Sequence, residues 1–196
     1  MKIHCGSGTV YLRNYINIDL PSSRCFLADE RPDLVEKYIT DETNYYGKHK
    51  TQSLNRFRAG PIVSEYVCDR FGSYFNLPCR DHEVEEFLAR QSFEHLSLTE
   101  AREALIEIKR VLKNKSILRL DVPDHETTLE QLRTTQDSFH IRHLLGPRNS
   151  DYGFHLMSYT LQSLRTLVEE YGFEFLNEEK NIHLYPSITG RWVNND

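Results

Sequence analysis

Two glycines near the N-terminus are followed by an acidic residue at a spacing that suits ligand binding. Gly6 and Gly8 come directly after the extended run 2–5. A second strand-like run, 15–19, ends at Asp19, 13 positions after Gly6. Glycine lets a ligand approach the backbone, and a carboxylate at the end of the next strand can accept hydrogen bonds from both ribose hydroxyls of a nucleoside. Taken alone, this pattern fits a ligand loop and a bare turn about equally well.

The distance between the glycines and the acid distinguishes between cofactors. In dinucleotide-binding folds the acid lies roughly 20 residues beyond the glycines, after a crossover helix whose N-terminus holds the pyrophosphate. Here the connection 9–14 is too short for a regular helix of ordinary length. The spacing therefore favours a nucleoside ligand without phosphates, such as S-adenosylmethionine, over a nicotinamide dinucleotide and an oxidoreductase.

Histidines provide the candidates for a general base, because imidazole titrates near neutral pH. The candidates are His95, His125, His143 and His155. The sequence does not rank them, and for each one a capping, packing or solvated role is the more common explanation.

A metal site is not predicted. Asp121, Asp124 and His125 lie close together in sequence, and the last two could present oxygen and nitrogen ligands to a divalent ion. Alternation along a strand, however, points Asp121 and its neighbours to different faces.

The elements that must position these residues follow from capping and periodicity. Ser97-Leu98-Thr99-Glu100 matches a capping box, and apolar residues at 101, 105, 108 and 112 predict a helix that ends near 113–114. The run 117–122 then predicts a strand that Pro123 terminates, which completes a right-handed βαβ unit. A last helix is predicted from near Thr160 to 171–172, followed by an antiparallel hairpin of strands 173–176 and 182–185.

The range 29–76 is polar and predicts a partly helical insertion. Arg31-Pro32-Asp33 is typical of a helix start, and 61–67 could be the third strand of the sheet. A loop carrying Asp69, Gly72 and Ser73 would follow it. Aromatic residues in the range, including Tyr45, could fold over a site as a lid, although a surface helix or a dimer contact explains them equally well.

Composition indicates one globular domain without a strong electrostatic field. The chain has 196 residues, of which 39% are hydrophobic and 27% charged, with a net charge of −5. That balance does not make nucleic acid the default partner. Because no apolar run approaches the roughly 20 residues that span a bilayer and no signal sequence is evident, we expect a cytoplasmic protein without a membrane segment. The four scattered cysteines indicate reduced thiols rather than a disulfide framework or zinc knuckle.

Several segments, taken in order, resemble one subfamily of class I S-adenosylmethionine-dependent methyltransferases. Residues 2–8 and 14–19 are similar to its opening, L-G-C-G followed by G-W/Y-I-N-I/V-D. The segments 93–96, 110–113 and 118–124 are similar to its L-E-H, R-V-L-K and V-P-D segments, and 154–160 with 172–173 to its last helix. The resemblance covers 1–20 and about 84–176. It departs from the family at Ser7, where cysteine is usual, and in the long stretch 21–79.

The resemblance implies an α/β, Rossmann-like methyltransferase fold. The sheet would be mostly parallel and seven-stranded, with a C-terminal antiparallel hairpin and helices on both faces. Residues 1–196 would form a single S-adenosylmethionine-binding domain, with the polar, partly helical insertion at about 29–76.

The resemblance also implies a set of site residues and an activity. Gly6 and Gly8 would lie beside the amino-acid part of S-adenosylmethionine, Asp19 would bind the ribose, and His95, His125 and His155 would be the catalytic candidates. The cofactor-binding residues would be Cys5, Gly6, Ser7, Gly8, Asp19, Leu20, Asp69, Ser73, Gln91 and Ser92. The implied reaction is methyl transfer to a small-molecule or sugar acceptor, by a monomer or a homodimer. The alternative is an inactive methyltransferase-like domain that binds ligands or other proteins.

Overall fold

A mixed sheet of seven strands forms the centre of the molecule. The structure is a computed structural model that describes residues 1–45, 64–146, 153–182 and 186–195. The described residues form the strands of this sheet and four short ones outside it: β1 (Lys2–Cys5), β2 (Tyr11–Leu12), β3 (Ile16–Asp19), β4 (Cys25–Leu27), β5 (Ile39–Thr40), β6 (Tyr66–Cys68), β7 (Arg70–Phe71), β8 (Val84–Arg90), β9 (Leu112–Pro123), β10 (Phe173–Ile182) and β11 (Pro186–Asn194). The sheet order is β10-β11-β9-β8-β1-β3-β7.

The directions of these strands confirm the predicted fold class. Neighbours from β9 to β7 pair in parallel, whereas β11 runs antiparallel to both β9 and β10. The helices α1 (Pro32–Tyr38), α2 (Leu98–Val111), α3 (His125–Thr135), α4 (Ser138–Leu145) and α5 (Leu161–Glu169) surround the sheet. The main core includes apolar residues of α2 and α5 together with Phe87, Leu118 and Trp192 of the strands. Leu88 of β8 packs in a separate cluster with Val10, Leu12, Tyr15 and Tyr45.

The βαβ unit predicted around the capping box is confirmed, with one shift in a boundary. Ser97 Oγ accepts from the Glu100 N–H at 3.3 Å, and the Ser97 N–H donates to the Glu100 carboxylate at 2.7 Å. The helix ends at Val111, and β9 begins at Leu112 rather than at residue 117. Residues 112–116 extend the strand because Leu112 pairs with Val84 across a register shift, before regular pairing starts at Ile117.

Replacing Ser97 with alanine should lower the free energy of unfolding by about 1 kcal/mol, because one N-terminal N–H of α2 loses its acceptor. Urea unfolding of wild type and Ser97→Ala measures this difference. Ser97→Thr keeps a hydroxyl acceptor and serves as the control. Equal stability of Ser97→Ala and wild type would show that solvent replaces the cap without cost.

The C-terminal hairpin is antiparallel as predicted, but the predicted second strand was wrong. Residue Ile182 still belongs to β10, which runs to that point, and β11 begins at Pro186. Residues 183–185 lie outside the described residues. Two residues made β11 difficult to predict as a strand. Thr189 is polar but buried against Asp121, and Gly190 packs against the Trp192 indole, which an added Cβ would approach to 2.1 Å.

The predicted third strand was also wrong. Residues 61–63 lie outside the described part of the chain, and β6 pairs with β4 in a separate two-stranded sheet. The edge of the main sheet is instead β7, whose two residues pair with Ile18 and Asp19. The described residues of the range 29–76 thus contribute one short strand to the main sheet, as well as α1, β5 and β6. Residues 46–63 of that range are not described.

Among the described residues, no helix combines the length and the apolar character needed to cross a membrane.

Candidate functional site

The glycine loop, residues 6–8, follows β1 at the point where the strand order of the sheet reverses. β1 is flanked by β3 on one side and β8 on the other, and ligands of open α/β sheets bind at such switch points. Gly6 and Gly8 adopt φ angles of 71° and 52°, which other residues rarely adopt. The Gly6 N–H donates to the Ile18 carbonyl at 2.9 Å, so the loop folds back over the end of β3.

The carboxylate of Asp19 joins this loop to the end of β3. Its Oδ2 accepts from the Gly8 N–H at 2.6 Å and from the Ser7 hydroxyl at 3.5 Å. Its Oδ1 accepts from the Leu20 N–H at 2.8 Å. Burial raises the pKa of Asp19, while these donors oppose the rise. A carboxylate oxygen offers two lone pairs, so Oδ1 retains capacity to accept from a ligand hydroxyl.

Gly6 lies directly against Ser92, which follows β8. A Cβ added at Gly6 would lie 2.5 Å from the Ser92 Cβ, so only glycine fits there without movement. The Ser92 hydroxyl bonds with the Tyr74 hydroxyl at 2.7 Å and donates to the Cys5 carbonyl at 3.3 Å. The structure therefore brings Cys5, Gly6 and Ser92 together. The buried Cys5 thiol has a pKa raised by burial, so it is not a thiolate nucleophile near neutral pH.

Gln91, directly after β8, forms hydrogen bonds with the neighbouring strand β9. It has a φ of 51°, and its N–H and side-chain amide donate to the Asp121 carbonyl and carboxylate at 2.8 and 2.9 Å. Asp121 is fully buried and also accepts from the Thr189 hydroxyl at 3.0 Å. Gln91 thus positions the turn that presents Ser92.

The two predicted adenine-side residues differ in their surroundings. Both oxygens of Asp69 are engaged within the protein: Oδ1 accepts from the Tyr11 hydroxyl at 2.6 Å and Oδ2 from the Asn17 N–H at 2.7 Å. These contacts explain Asp69 as a brace for the end of β3. Ser73 lies just beyond β7, where its N–H donates to the Asn76 carbonyl, and it follows by two residues Phe71, the register partner of Asp19.

Phe71 is a residue of this edge that the sequence did not indicate. It is the register partner of Asp19, and 37% of its surface is exposed. An exposed aromatic side chain beside the ribose-binding candidate offers a face on which a base can stack. Phe71 can be placed beside Asp19 only when the pairing of β3 with β7 is known, and no local pattern in the sequence predicts that pairing.

The histidine candidates gather beyond the ends of β8 and β9. Glu94 and His95 lie in a short 3-10 turn, Phe93–His95, that follows Ser92. The Glu94 Oε1 lies 3.8 Å from His155 Nε2, and the ring centroids of His95 and His155 are 4.9 Å apart. His143 is next, with its centroid 6.5 Å from that of His155. His125 begins α3, where its N–H donates to the Tyr159 carbonyl.

Burial keeps these groups uncharged near neutral pH. It raises the pKa of Glu94 to about 8 and, with the neighbouring His95 and His143, lowers the pKa of His155 to about 3. Burial also lowers the pKa of His143 to about 4, and it lowers the pKa of His125. The contact between Glu94 and His155 is therefore not an ion pair near pH 7. The buried Glu94 was missed in the sequence because a carboxylate in a helix-start segment is ordinarily solvated.

The three residues weighed for a metal site in the sequence have separate partners. Asp121 contacts Gln91 and Thr189, whereas Asp124 caps α3 by accepting from the Thr127 N–H at 3.2 Å.

Solved structures similar to this chain include S-adenosylmethionine (SAM)-dependent methyltransferases. One, from Aquifex aeolicus, superimposes with a TM-score of 0.51 at 13% identity, over 98% of this chain and 81% of that chain. Another, from Thermotoga maritima, gives 0.53 at 14% identity, over 99% and 81%. The Burkholderia thailandensis 1,6-didemethyltoxoflavin-N1-methyltransferase, solved with 1,6-didemethyltoxoflavin and S-adenosylhomocysteine bound, gives 0.52 at 10% identity, over 100% and 71%.

The sequence matches no protein-family model and no curated protein. The likeness thus lies in the fold, and its extent over nearly the whole chain agrees with the strand order described above. The chain has a Rossmann-like methyltransferase fold.

Proposed function

We propose that this protein binds S-adenosylmethionine at the carboxyl edge of its sheet and transfers the methyl group to a small-molecule acceptor. The observation that supports this most directly is the glycine loop bonded to Asp19 at the switch point, with the Gly8 N–H 2.6 Å from the carboxylate. Gly6 leaves backbone accessible beside the loop, and Asp19 offers an oxygen to a ribose hydroxyl.

The connection from the loop to β3 supports a nucleoside without phosphates. Residues 9–15 contain the short strand β2 and turns, with no helix. A dinucleotide fold would place a helix N-terminus here to bind the pyrophosphate. This chain places no such dipole in that connection, so a nicotinamide dinucleotide fits it poorly.

The remaining site residues divide between the two ends of the cofactor. We infer that Cys5, Gly6, Ser7, Gly8 and Ser92 surround its methionine part, with Gln91 holding the turn. Asp19 and Leu20 would contact the ribose. Ser73, and Asp69 through the brace it forms, would shape the adenine side.

The chemistry requires alignment more than covalent catalysis. A bound sulfonium supplies a methyl group that is already activated for attack by a nucleophile about 3 to 3.5 Å away. The chain's residues therefore have to orient the acceptor and remove its proton if it is a hydroxyl. His95, His125 and His155 are the candidates for that base, since all three lie beyond the ends of β8 and β9 and imidazole accepts protons when neutral.

The bound small molecule in the Burkholderia enzyme supports a small acceptor for this chain as well. The range 29–76 would contribute to acceptor selection as part of the same domain. Two of its described parts lie beside β2, since β5 pairs with that strand and Tyr45 packs in a cluster with Leu12.

Calorimetric titration with S-adenosylhomocysteine tests the cofactor site. Wild type should bind in the micromolar range, and Asp19→Ala should bind at least about 1.5 kcal/mol more weakly, because hydrogen bonds to a charged group are lost. Asp19→Asn, which keeps an acceptor for Gly8, should fall between them. Asp29→Ala, an exposed acid outside the site, is the matched control.

Absence of heat and of thermal stabilisation at millimolar ligand would contradict the proposal. Binding without any transfer of labelled methyl groups to cell-extract acceptors would instead indicate an inactive ligand-binding domain.

A further inference from the structure

Glu94, His95 and His155 place three metal-ligating side chains at one point. A carboxylate oxygen and one ring nitrogen from each histidine lie within 4.8 Å of one another. The pair Glu94 Oε1 and His155 Nε2 is separated by 3.8 Å. The residues come from two segments 60 positions apart, so the grouping is a product of the fold.

The Glu94 carboxylate has no hydrogen-bond partner among the described residues. Its side chain is 1% exposed, and neither Oε1 nor Oε2 has a donor within that part of the chain. Burying such a group without a partner is costly, and a proton or a cation offsets that cost. The fold nevertheless places one of these oxygens, Oε1, 3.8 Å from His155 Nε2.

The backbone around the cluster fixes these side chains in place. The Glu94 carbonyl accepts from the Leu156 and Met157 N–H groups at 2.9 and 3.1 Å. These bonds clamp the loop that carries His155 onto the 3-10 turn that carries Glu94. The His155 N–H in turn donates to the Leu145 carbonyl at 3.2 Å, which ties the loop to the end of α4.

His95 has its ring orientation set by the same loop. Its Nδ1 lies 2.8 Å from the Phe154 carbonyl, and because a carbonyl can only accept, Nδ1 carries the proton. In neutral His95 the lone pair is then on Nε2. Metal-binding histidines commonly donate their other N–H to a carbonyl in this way, which fixes both tautomer and direction.

We propose that Glu94, His95 and His155 bind a divalent transition-metal ion such as Zn²⁺, through one carboxylate oxygen and two imidazole nitrogens. Two histidines and one carboxylate form an established ligand set for such ions and leave at least one coordination position open. With metal–ligand bonds of about 2.0 to 2.2 Å, the ligand atoms of a tetrahedral site lie about 3.3 Å apart. Closing the group from its present spacing requires shifts of about 1 Å.

The position of this site suggests a role for the ion in binding the methyl acceptor, and that role rests on the proposed function. Glu94 follows Ser92 by two residues, and Ser92 touches Gly6 of the glycine loop. A substrate oxygen or nitrogen in the open position would be oriented close to the cofactor. A hydroxyl bound there would also lose its proton more readily, because the cation stabilises the alkoxide. With His95 and His155 bound to the ion, His125 is the remaining candidate to accept that proton.

Titration of the chelator-treated full chain with ZnCl₂ tests the proposal. We expect one ion per chain by calorimetry and a rise in the thermal unfolding midpoint with added zinc. Co²⁺ should bind at the same site and give the intense visible absorption of a four- or five-coordinate ion. Glu94→Gln and His155→Gln should each weaken Zn²⁺ binding at least tenfold, since loss of even an outer-shell partner has effects of about 10- to 100-fold.

His82→Gln is the matched control. His82 precedes β8, whereas the cluster follows it, so the two lie at opposite ends of the strand. Circular dichroism establishes that each variant is folded, and His95→Gln, at a partly exposed position, replaces any variant that is not.

The proposal is overturned if wild type binds none of Zn²⁺, Co²⁺, Ni²⁺ and Mn²⁺. It is equally overturned if Glu94→Gln and His155→Gln bind zinc like wild type, or if His82→Gln weakens binding as much as they do. Titration of the same preparations with S-adenosylhomocysteine separates this result from failure of the cofactor site.

Discussion

Gly6→Ala should reduce the affinity for S-adenosylhomocysteine at least tenfold and lower the free energy of unfolding by about 2 kcal/mol. Two physical effects act together. The φ of 71° is unfavourable for any residue with a Cβ, at roughly 1 kcal/mol or more. The new methyl would also lie 2.5 Å from Ser92 Cβ, so the turn after β8 or the glycine loop must move away from the ligand. Calorimetry and urea unfolding measure the two quantities.

Gly8→Ala separates these two effects, because Gly8 has a similar φ of 52° but, in the part of the chain that the structure describes, no atom lies within 4 Å of an added Cβ. It should therefore show the backbone cost alone, about 1 kcal/mol of stability. Ser92→Gly in the Gly6→Ala background removes the obstructing atoms. We expect this double variant to recover part of the stability, with a coupling energy of about 0.5 to 2 kcal/mol. Strict additivity of the two substitutions would rule out the steric explanation.

His4→Gln should flatten the loss of stability that the protein undergoes on mild acidification. Burial lowers the pKa of His4 to about 4. The unfolded chain, with a pKa of about 6.5, binds a proton below that pH, whereas the native protein does so only near pH 4. Stability therefore falls as the pH falls from about 6.5 to 4, at about 1.4 kcal/mol per pH unit for this one group. Between pH 7 and pH 5, the His4 contribution is about 2 kcal/mol.

Burial is the main reason that the His4 imidazole stays neutral, and it outweighs the Asn17 hydrogen bond, which favours the protonated ring. Its Nδ1 lies 3.1 Å from the Asn17 Oδ1, and Tyr45 places its hydroxyl 3.3 Å from Nε2. The charge of Arg90 opposes protonation, and that of Glu42 favours it, both less strongly than burial. The wild-type ring is thus held by neutral hydrogen bonds in a position that water does not reach.

The measurement is urea unfolding of both proteins at pH 7 and pH 5. His4→Gln loses contacts with Asn17 and is expected to be the less stable protein at pH 7. The difference from wild type should shrink by about 2 kcal/mol at pH 5. A difference that stays the same at both pH values would mean that His4 titrates alike in the folded and unfolded chain.

Local patterns identified the parts of the fold that local physics stabilises. The capping box at Ser97 and the apolar repeat after it predicted α2, because both act within a few residues of chain. The ends of β1 and β3 followed from Gly6 and Asp19, whose roles depend on backbone conformation and on the ends of adjacent strands. The prediction of the second hairpin strand was wrong because β11 contains a polar residue and a glycine that are buried. Thr189 packs against a partner from β9, and Gly190 packs against Trp192 of the same strand.

The sequence by itself determined where the glycine loop, the acid and the βαβ unit lie along the chain, since each depends on residues close together. Only the tertiary structure decided what surrounds them. β7 is paired through its contact with β3, Gly6 is confined by Ser92, and Glu94 is buried beside His155. The physical reason is that the burial and the electrostatic environment of a side chain are set by chain segments far apart in sequence. The type of a residue does not determine which segments pack against it.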